Sequence, residues 1–282
     1  MVSAATDAEE RAGPFELYAL RYATNTGRTA HENFVDGDPH DAGADLDYFI
    51  WLARRGEEVF LIDTGFGPDA AKARGRTLLR RPTEALALMG VEAGAVREVI
   101  LTHLHYDHAG TLGDFPEARF HLQVSEAACA TGPCICTDSI RAPYDVENIV
   151  DYVRKLYAGR IVFCEGDRKL ADGLWLHAVP GHSAGLQAVR VFTQRGWVVV
   201  ASDATHYYAN MGQKKPFPIF FDMDAMIRSY DRVAALAPDH DHIVPGHDPQ
   251  VMAAYPAPSP ELQDIVVRLD VAPRMSWAEL AE

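Results

Sequence analysis

The densest chemistry in the chain lies in one heptapeptide, Thr102-His103-Leu104-His105-Tyr106-Asp107-His108. Imidazoles and carboxylates together suit zinc, which takes nitrogen and oxygen donors at about 2.0–2.2 Å. His103 and His105, two residues apart, point the same way from extended backbone. Asp107 and His108 are adjacent and diverge as the chain turns toward Ala109-Gly110, so one short loop can feed two neighbouring ions. It cannot complete two sites alone. Three later segments share one form, an apolar strand ending in a donor: Pro180-Gly181-His182-Ser183, Ser202-Asp203 and Pro245-Gly246-His247-Asp248. A carboxylate closing a wholly apolar strand is costly unless something positive pairs with it. The glycine before His182 lets the backbone turn sharply.

Other residues invite the same reading and do not sustain it equally. His240 and His242 form another His-x-His, but no Asp-His follows, and they are not read as ligands. His31 and His40 sit in a long polar loop, either at a substrate entrance or simply in solvent. Phe217, Phe220 and Phe221, soon after Asp203, form either an apolar wall for a ligand chain or ordinary core or dimer packing. Lys214-Lys215 reads as a solvated turn. Cys129, Cys134, Cys136 and Cys164 lack a paired C-x-x-C spacing and read as reduced thiols rather than metal ligands.

The elements that must position these groups follow from patterning. Of 282 residues, 48% are apolar and 23% charged, which is ample for a buried core. The net charge of −14 argues against nucleic acid or an anionic membrane as a partner, since both need a basic face. No signal peptide is legible at the N-terminus, and no run approaches the roughly 18 apolar residues of a membrane span. A cytoplasmic location is therefore expected. Residues 1–13 read as a loose tail, and the absence of an interior linker predicts one domain over 1–282. Strands are expected at 15–22, 48–53, 58–62, 99–101, 120–124, 161–163, 174–179, 188–193, 197–201 and 242–244. Residues 48–62 form a hairpin signal, and the polar stretch 24–45 has the length of a functional loop. Helices are expected within 69–89 (two, broken near Pro82), at 146–157, at 222–236 with Asp222 as N-cap, and at 260–269. There is also a weak internal echo. EVFLID (58–63) and WVVVASD (197–203) both end in Asp, while VILTH (99–103) and HIVPGH (242–247) both lead to His. This fits two related sheet halves that present polar residues from their strand ends toward one site.

HLHYDH at 103–108, followed in order by His182, Asp203 and His247, resembles the metallo-β-lactamase superfamily. The resemblance spans roughly residues 45–250, with Leu61-Ile62-Asp63-Thr64-Gly65 as a further shared segment. It implies an α/β (α+β) fold, a four-layer αββα sandwich, and a dinuclear metal hydrolase. By position, His103, His105 and His182 would hold one metal, and Asp107, His108 and His247 the other. Asp203 would bridge them, and Asp63 would orient the loop from behind. Two Zn²⁺ per chain are implied, with Fe, Co or Mn as alternatives.

Asp203 at the bridging position disfavours the true β-lactamases, which carry cysteine there. The Ser-Asp-Ala segment and the closing Pro-Gly-His-Asp most resemble the N-acyl-homoserine lactonases. The expected activity is thus opening of an N-acyl-homoserine lactone or another cyclic ester by a metal-shared hydroxide, a quorum-quenching chemistry. Asp107 would also accept a hydrogen bond from the nucleophile. The lactonases carry tyrosine three residues past the bridging Asp; here His206 stands there, followed by Tyr207 and Tyr208. Asp107, His206 and Tyr207 are the candidate catalytic residues, with Tyr208 as a further donor to the oxyanion. The rival readings are a glyoxalase II-type thioester hydrolase, a phosphodiesterase or nuclease, and a non-catalytic metal-binding sensor. The C-terminal tail is short and lacks an obvious basic patch for a glutathione-like anion, and the acidic charge weighs against a nuclease. Expected partners are a small lactone or ester and a second copy of the chain in a homodimer.

Overall fold

The structure is a computed structural model that describes residues 12–282. Residues 1–11 of the expected tail lie outside the described residues. In chain order, β1 (Glu16–Asn25), β2 (Leu46–Arg55), β3 (Glu58–Ile62), β4 (Thr77–Leu78), β5 (Glu98–Ile100), β6 (Arg119–Gln123) and β7 (Ile161–Cys164) build one sheet. A second sheet holds β8 (Arg168–Ala171), β9 (Leu174–Ala178), β10 (Gln187–Thr193), β11 (Gly196–Ser202) and β12 (Ile243–Pro245). Finally β13 (Val266–Arg268) returns to the first sheet beside β1. The orders are β13-β1-β2-β3-β5-β6-β7, with β4 on β1, and β12-β11-β10-β9-β8.

In β2 every residue from Leu46 to Ala53 is buried, and β11 is buried from Trp197 to Ser202. Strands buried without alternation need cover on both faces. Each sheet has it, because the two sheets share one continuous core and carry helices on the outside. Helix Pro82–Leu88 packs on β1 and helix Met223–Leu236 packs on β11, which gives the αββα layering.

The expected hairpin is present as β2 and β3, paired Trp51 with Ile62 through Arg55 with Glu58. Asp222 caps Met223–Leu236 by accepting from Ala225 N at 3.0 Å. Pro82 occupies the first turn of its helix, where a missing N–H costs nothing, so it begins the second helix rather than breaking one. One expectation is corrected. Residues 260–269 are not a helix: a single turn at Pro260–Leu262 leads into β13. Ile265, Val266 and Val267 are β-branched, and the open edge of β1 supplies their partners, with Leu20 opposite Val266 and Tyr18 opposite Arg268. The polar strand β8 was also not legible, because its RKLA sequence carries little strand signal.

The echo between halves has a structural counterpart. β3 runs parallel to β5, and β11 runs parallel to β12. Each pair delivers an Asp and a His beyond its carboxyl ends: Asp63 and His103 in one half, Asp203 and His247 in the other. Each half also forces a left-handed residue at the end of its Asp strand, Asp63 at φ 60° and Ser202 at φ 47°. Such non-glycine conformations cost of order 1–3 kcal/mol and persist only where surroundings impose them.

Candidate metal centre

The heptapeptide leaves β5 and turns back on itself, with His108 N and Ala109 N both bonding to His105 O. Asp63 holds that turn from below. Its carboxylate accepts from Thr102 N at 2.7 Å, from Thr102 Oγ1 at 2.8 Å and from His108 Nδ1 at 2.7 Å. Ser202 Oγ reaches Thr102 Oγ1 at 3.0 Å, so the strained residues of the two halves meet through one threonine. Two glycines make room where no side chain fits. A Cβ on Gly246 would stand 2.7 Å from Asp203 Oδ1, and one on Gly181 would stand 2.3 Å from Met226 backbone.

All seven expected ligands converge. His105 Nδ1 lies 3.0 Å from His103 Nε2 and 2.9 Å from His182 Nε2. The far nitrogen of His182, Nδ1, donates to Ile219 O at 2.8 Å, which turns Nε2 toward the other two rings. His247 is oriented in the same way by Asp47 O at 2.9 Å, and its Nε2 faces Asp203 Oδ1 at 3.0 Å and Asp107 Oδ2 at 3.8 Å. His108 Nε2 faces Asp203 Oδ1 at 3.3 Å and Asp107 Oδ1 at 3.8 Å. Asp203 Oδ2 turns to the first triad, 3.1 Å from His182 Nε2 and 3.8 Å from His103 Nε2. One carboxylate thus stands between His103, His105 and His182 on one side and Asp107, His108 and His247 on the other.

This donor set fits divalent metal. Lone pairs and carboxylate oxygens face one another, and the buried His108 Nε2 and Asp203 Oδ1 have no hydrogen-bond partner. Burial and the neighbouring rings push His103 and His105 well below the usual histidine value. Burial opposes charge on His108 and His247 too, yet Asp203 beside them raises both. At Asp203 the rings of His206, His247, His108 and His182 outweigh burial and hold it well below the usual carboxylate range. A cation between these groups satisfies the acceptors without buried protons.

The centre opens onto a cavity of about 540 Å³, a typical size for a small-molecule site. Asp107, His182, Asp203, His206 and His247 floor it, and Phe217, Pro218, Ile219 and Phe220 make an apolar wall. Phe221 is not part of that wall. His31 lines the mouth, whereas His40 is 91% exposed on Asp38 and lies elsewhere. His242 bonds Asp239 and Arg195 O, outside the cluster.

His206 is brought to the centre and Tyr207 is not. His206 Nε2 lies 3.1 Å from Asp203 Oδ2, and its ring stacks on Phe217 at 3.6 Å between centroids. Burial presses its pKa down to about 3, so the ring is neutral at physiological pH. Tyr207 points its hydroxyl at Ala44 O, 3.5 Å away, and lines a separate cavity with Phe34 and Asp248. Tyr208 is buried against Trp277. The tyrosines that do line the cavity are Tyr48 and Tyr106, with their hydroxyls 3.1 Å apart and Tyr48 edge-on to His247. Glu126 was missed entirely. It is fully buried and accepts from Leu104 N, Tyr144 Oη, Ser183 Oγ and Gly185 N at 2.7–3.0 Å, tying the heptapeptide to the His182 loop. Nothing in the apolar helix Val124–Ala130 flags it, whereas Tyr106 sits inside the motif and was open to notice.

Known proteins resemble this chain in sequence and in fold. The N-acyl homoserine lactonase AiiA of Bacillus thuringiensis subsp. kurstaki is 28% identical over 219 residues, covering 72% of this chain and 82% of the relative. A probable metallo-hydrolase of Mycobacterium tuberculosis is 26% identical over 234 residues, covering 72% and 74%. A solved quorum-quenching N-acyl homoserine lactone lactonase superposes with a TM-score of 0.71 at 24% identity, over 84% of this chain and 94% of that one. AidC, a dizinc quorum-quenching lactonase, gives 0.67 at 19%, over 84% and 88%. At those identities the structural likeness is one of fold. The metallo-beta-lactamase superfamily model matches residues 44–247, which takes in every strand and loop that supplies the cluster, and the chain belongs to that superfamily.

Proposed function

We propose that this protein is a dinuclear zinc hydrolase that opens a lactone, acting as one domain in the cytoplasm. The observation that carries the reading is Asp203, whose two oxygens face two separate ligand triads at the floor of an open cavity. His103, His105 and His182 would hold one ion, Asp107, His108 and His247 the other, with Asp203 shared. When bound, the metals supply an acidified water and polarise the ester carbonyl. The chain does the rest. Asp107 is the ligand least covered by protein, its side chain 12% exposed, and its oxygens border the cavity, so it takes the proton that water gives up. Of the Tyr48–Tyr106 pair at the cavity wall, one hydroxyl proton joins the two oxygens and the other donates toward the acyl oxygen. The apolar segment 217–220 excludes water from the acyl side. His206, neutral and bonded to Asp203, acts as a positioning residue rather than a proton donor. Water adds to the acyl carbon, the ring C–O bond breaks, and a hydroxy acid leaves.

Elemental analysis of purified protein should approach two equivalents of zinc. A panel of a simple γ-lactone, an N-acyl-homoserine lactone, a thioester and a phosphodiester should show the lactones turned over fastest. Metal-loaded protein that cleaves the thioester or phosphodiester and leaves both lactones intact would reject the reading.

A further inference from the structure

In a chain of net charge −14, the cavity mouth carries three half-buried arginines, Arg28, Arg74 and Arg76. Arginine elsewhere in this fold is commonly paired, as in Arg54–Glu16, Arg55–Glu58 and Arg268–Asp270. Among the described residues none of the three at the cavity forms an ion pair. They are instead held flat by neutral groups. Arg74 lies on the Tyr106 ring at 3.9 Å and donates to Ala142 O and Tyr144 O. Arg76 Nε donates to Tyr106 Oη at 3.2 Å. Arg28 lies over Phe217 at 5.7 Å and donates to Asn33 Oδ1. With its amide oriented to satisfy both, the Asn25 oxygen accepts from Arg28 Nη1 at 2.9 Å and Arg76 Nη1 at 3.1 Å, so the two guanidiniums are adjacent. The carboxylates on the same cavity are Glu32, Asp107 and Asp203. Two belong to the metal cluster, and Glu32 spends its Oε2 on Thr29 N and Oγ1. Glu32 lies in the field of Arg28 and Arg76, and Asp107 in that of Arg76, but neither carboxylate closes to ion-pair contact with them.

Adjacent like charges repel, and burying them in part weakens their hydration. Fixed guanidiniums with no carboxylate in direct contact are a fork for a planar oxyanion. We infer that Arg28 and Arg76, with Arg74 beside them, bind a carboxylate on the substrate, so that the preferred substrate is an anionic lactone rather than a neutral one. This rests on the lactone reading above and names its substrate class. The carbonyl would meet the cluster while the carboxylate meets the arginines at the mouth.

The test compares the γ-lactone of 2-hydroxyglutarate, which carries a ring carboxylate, with its methyl ester, following ring opening by NMR. Wild type should favour the acid about tenfold or more in kcat/KM, as expected for one charge-assisted contact. Arg28→Met/Arg76→Met should bring the ratio near one, and Arg28→Lys/Arg76→Lys should keep most of it. Should the double variant fail to fold, Arg28→Met alone should still lower the ratio. Independently of turnover, calorimetry with 2-hydroxyglutarate should show about tenfold weaker binding to the methionine variant. Equal or better opening of the methyl ester by wild type overturns the anion site and leaves the lactonase reading standing. If neither ring opens with both metals bound, the lactone reading falls and calorimetry alone decides, equal affinities overturning the site. Preferred hydrolysis of S-lactoylglutathione would uphold the arginine site and transfer it to a thioester substrate.

Discussion

At the scale of single residues, the informative departure is His206. A histidine at the rim of a metal centre invites a proton-shuttle role, and two observations redirect it. Its Nε2 is engaged with Asp203 Oδ2 at 3.1 Å, and burial holds its pKa at about 3. The side chain is thereby placed to orient the Asp203 carboxylate, on a platform made by Phe217. Groups that orient a ligand typically change metal affinity or activity by about 10–100-fold when removed. His206→Ala should weaken zinc retention by that factor, measured by competition with a chromophoric chelator, and turnover should recover in part at high zinc. Full retention with reduced turnover would return His206 to a substrate-facing role. The residues that reach the cavity with hydroxyls, Tyr48 and Tyr106, come from a strand and from the metal loop itself, which chain order alone did not connect.

At the scale of elements, the site depends on braces between loops that share no sequence neighbourhood. Glu126 joins the heptapeptide, Tyr144 and the His182 loop through four hydrogen bonds. Each buried donor left without a partner costs about 1–3 kcal/mol. Glu126→Ala should thus lower stability by at least about 3 kcal/mol in urea unfolding and loosen His105 and His182 together. A loss within experimental error would show that water replaces the carboxylate. At the amino end of β5, Glu98 is bonded by His121 Nε2 at 2.7 Å and by Arg119, both of β6. Burial opposes its charge, but those two bonds outweigh it and lower its pKa below the ordinary 4.5. A carboxylate lowered in the folded state stabilises above its unfolded value, and that contribution disappears as pH falls through the folded value. The stability gap between wild type and Glu98→Gln should be present at pH 6 and shrink steadily below about pH 4.5. A gap independent of pH would mean that the amide fills the role equally well.

At the scale of the molecule, two sheets converge their strand ends on one cluster of acceptors, and under the proposed function cations held there would act as internal ligands of the folded state. Each ion stabilises by mass action, about 4 kcal/mol when free metal exceeds its Kd a thousandfold. Stripping zinc with a chelator should lower Tm by on the order of 10 °C, and stoichiometric zinc should restore it. An unchanged Tm after verified removal would show that the cluster folds without its metals. Much of this was legible beforehand, for a physical reason. Metal donors are few, chemically distinctive and tied to strand ends, so HLHYDH, His182, Asp203 and His247 announce themselves in chain order, as do the apolar strands that carry them. The strand β13 was not legible, because three β-branched residues are too short a signal by themselves, and their edge partner on β1 is supplied only by the fold. Nor were Glu126, the Asn25-linked arginines or the separate fates of His206 and Tyr207. Those are decided by which buried or facing groups lie within hydrogen-bond reach, and only tertiary packing sets such distances. The sequence by itself determined what the site is made of; the packing of two sheets decided which neighbours orient it and what charge waits at its mouth.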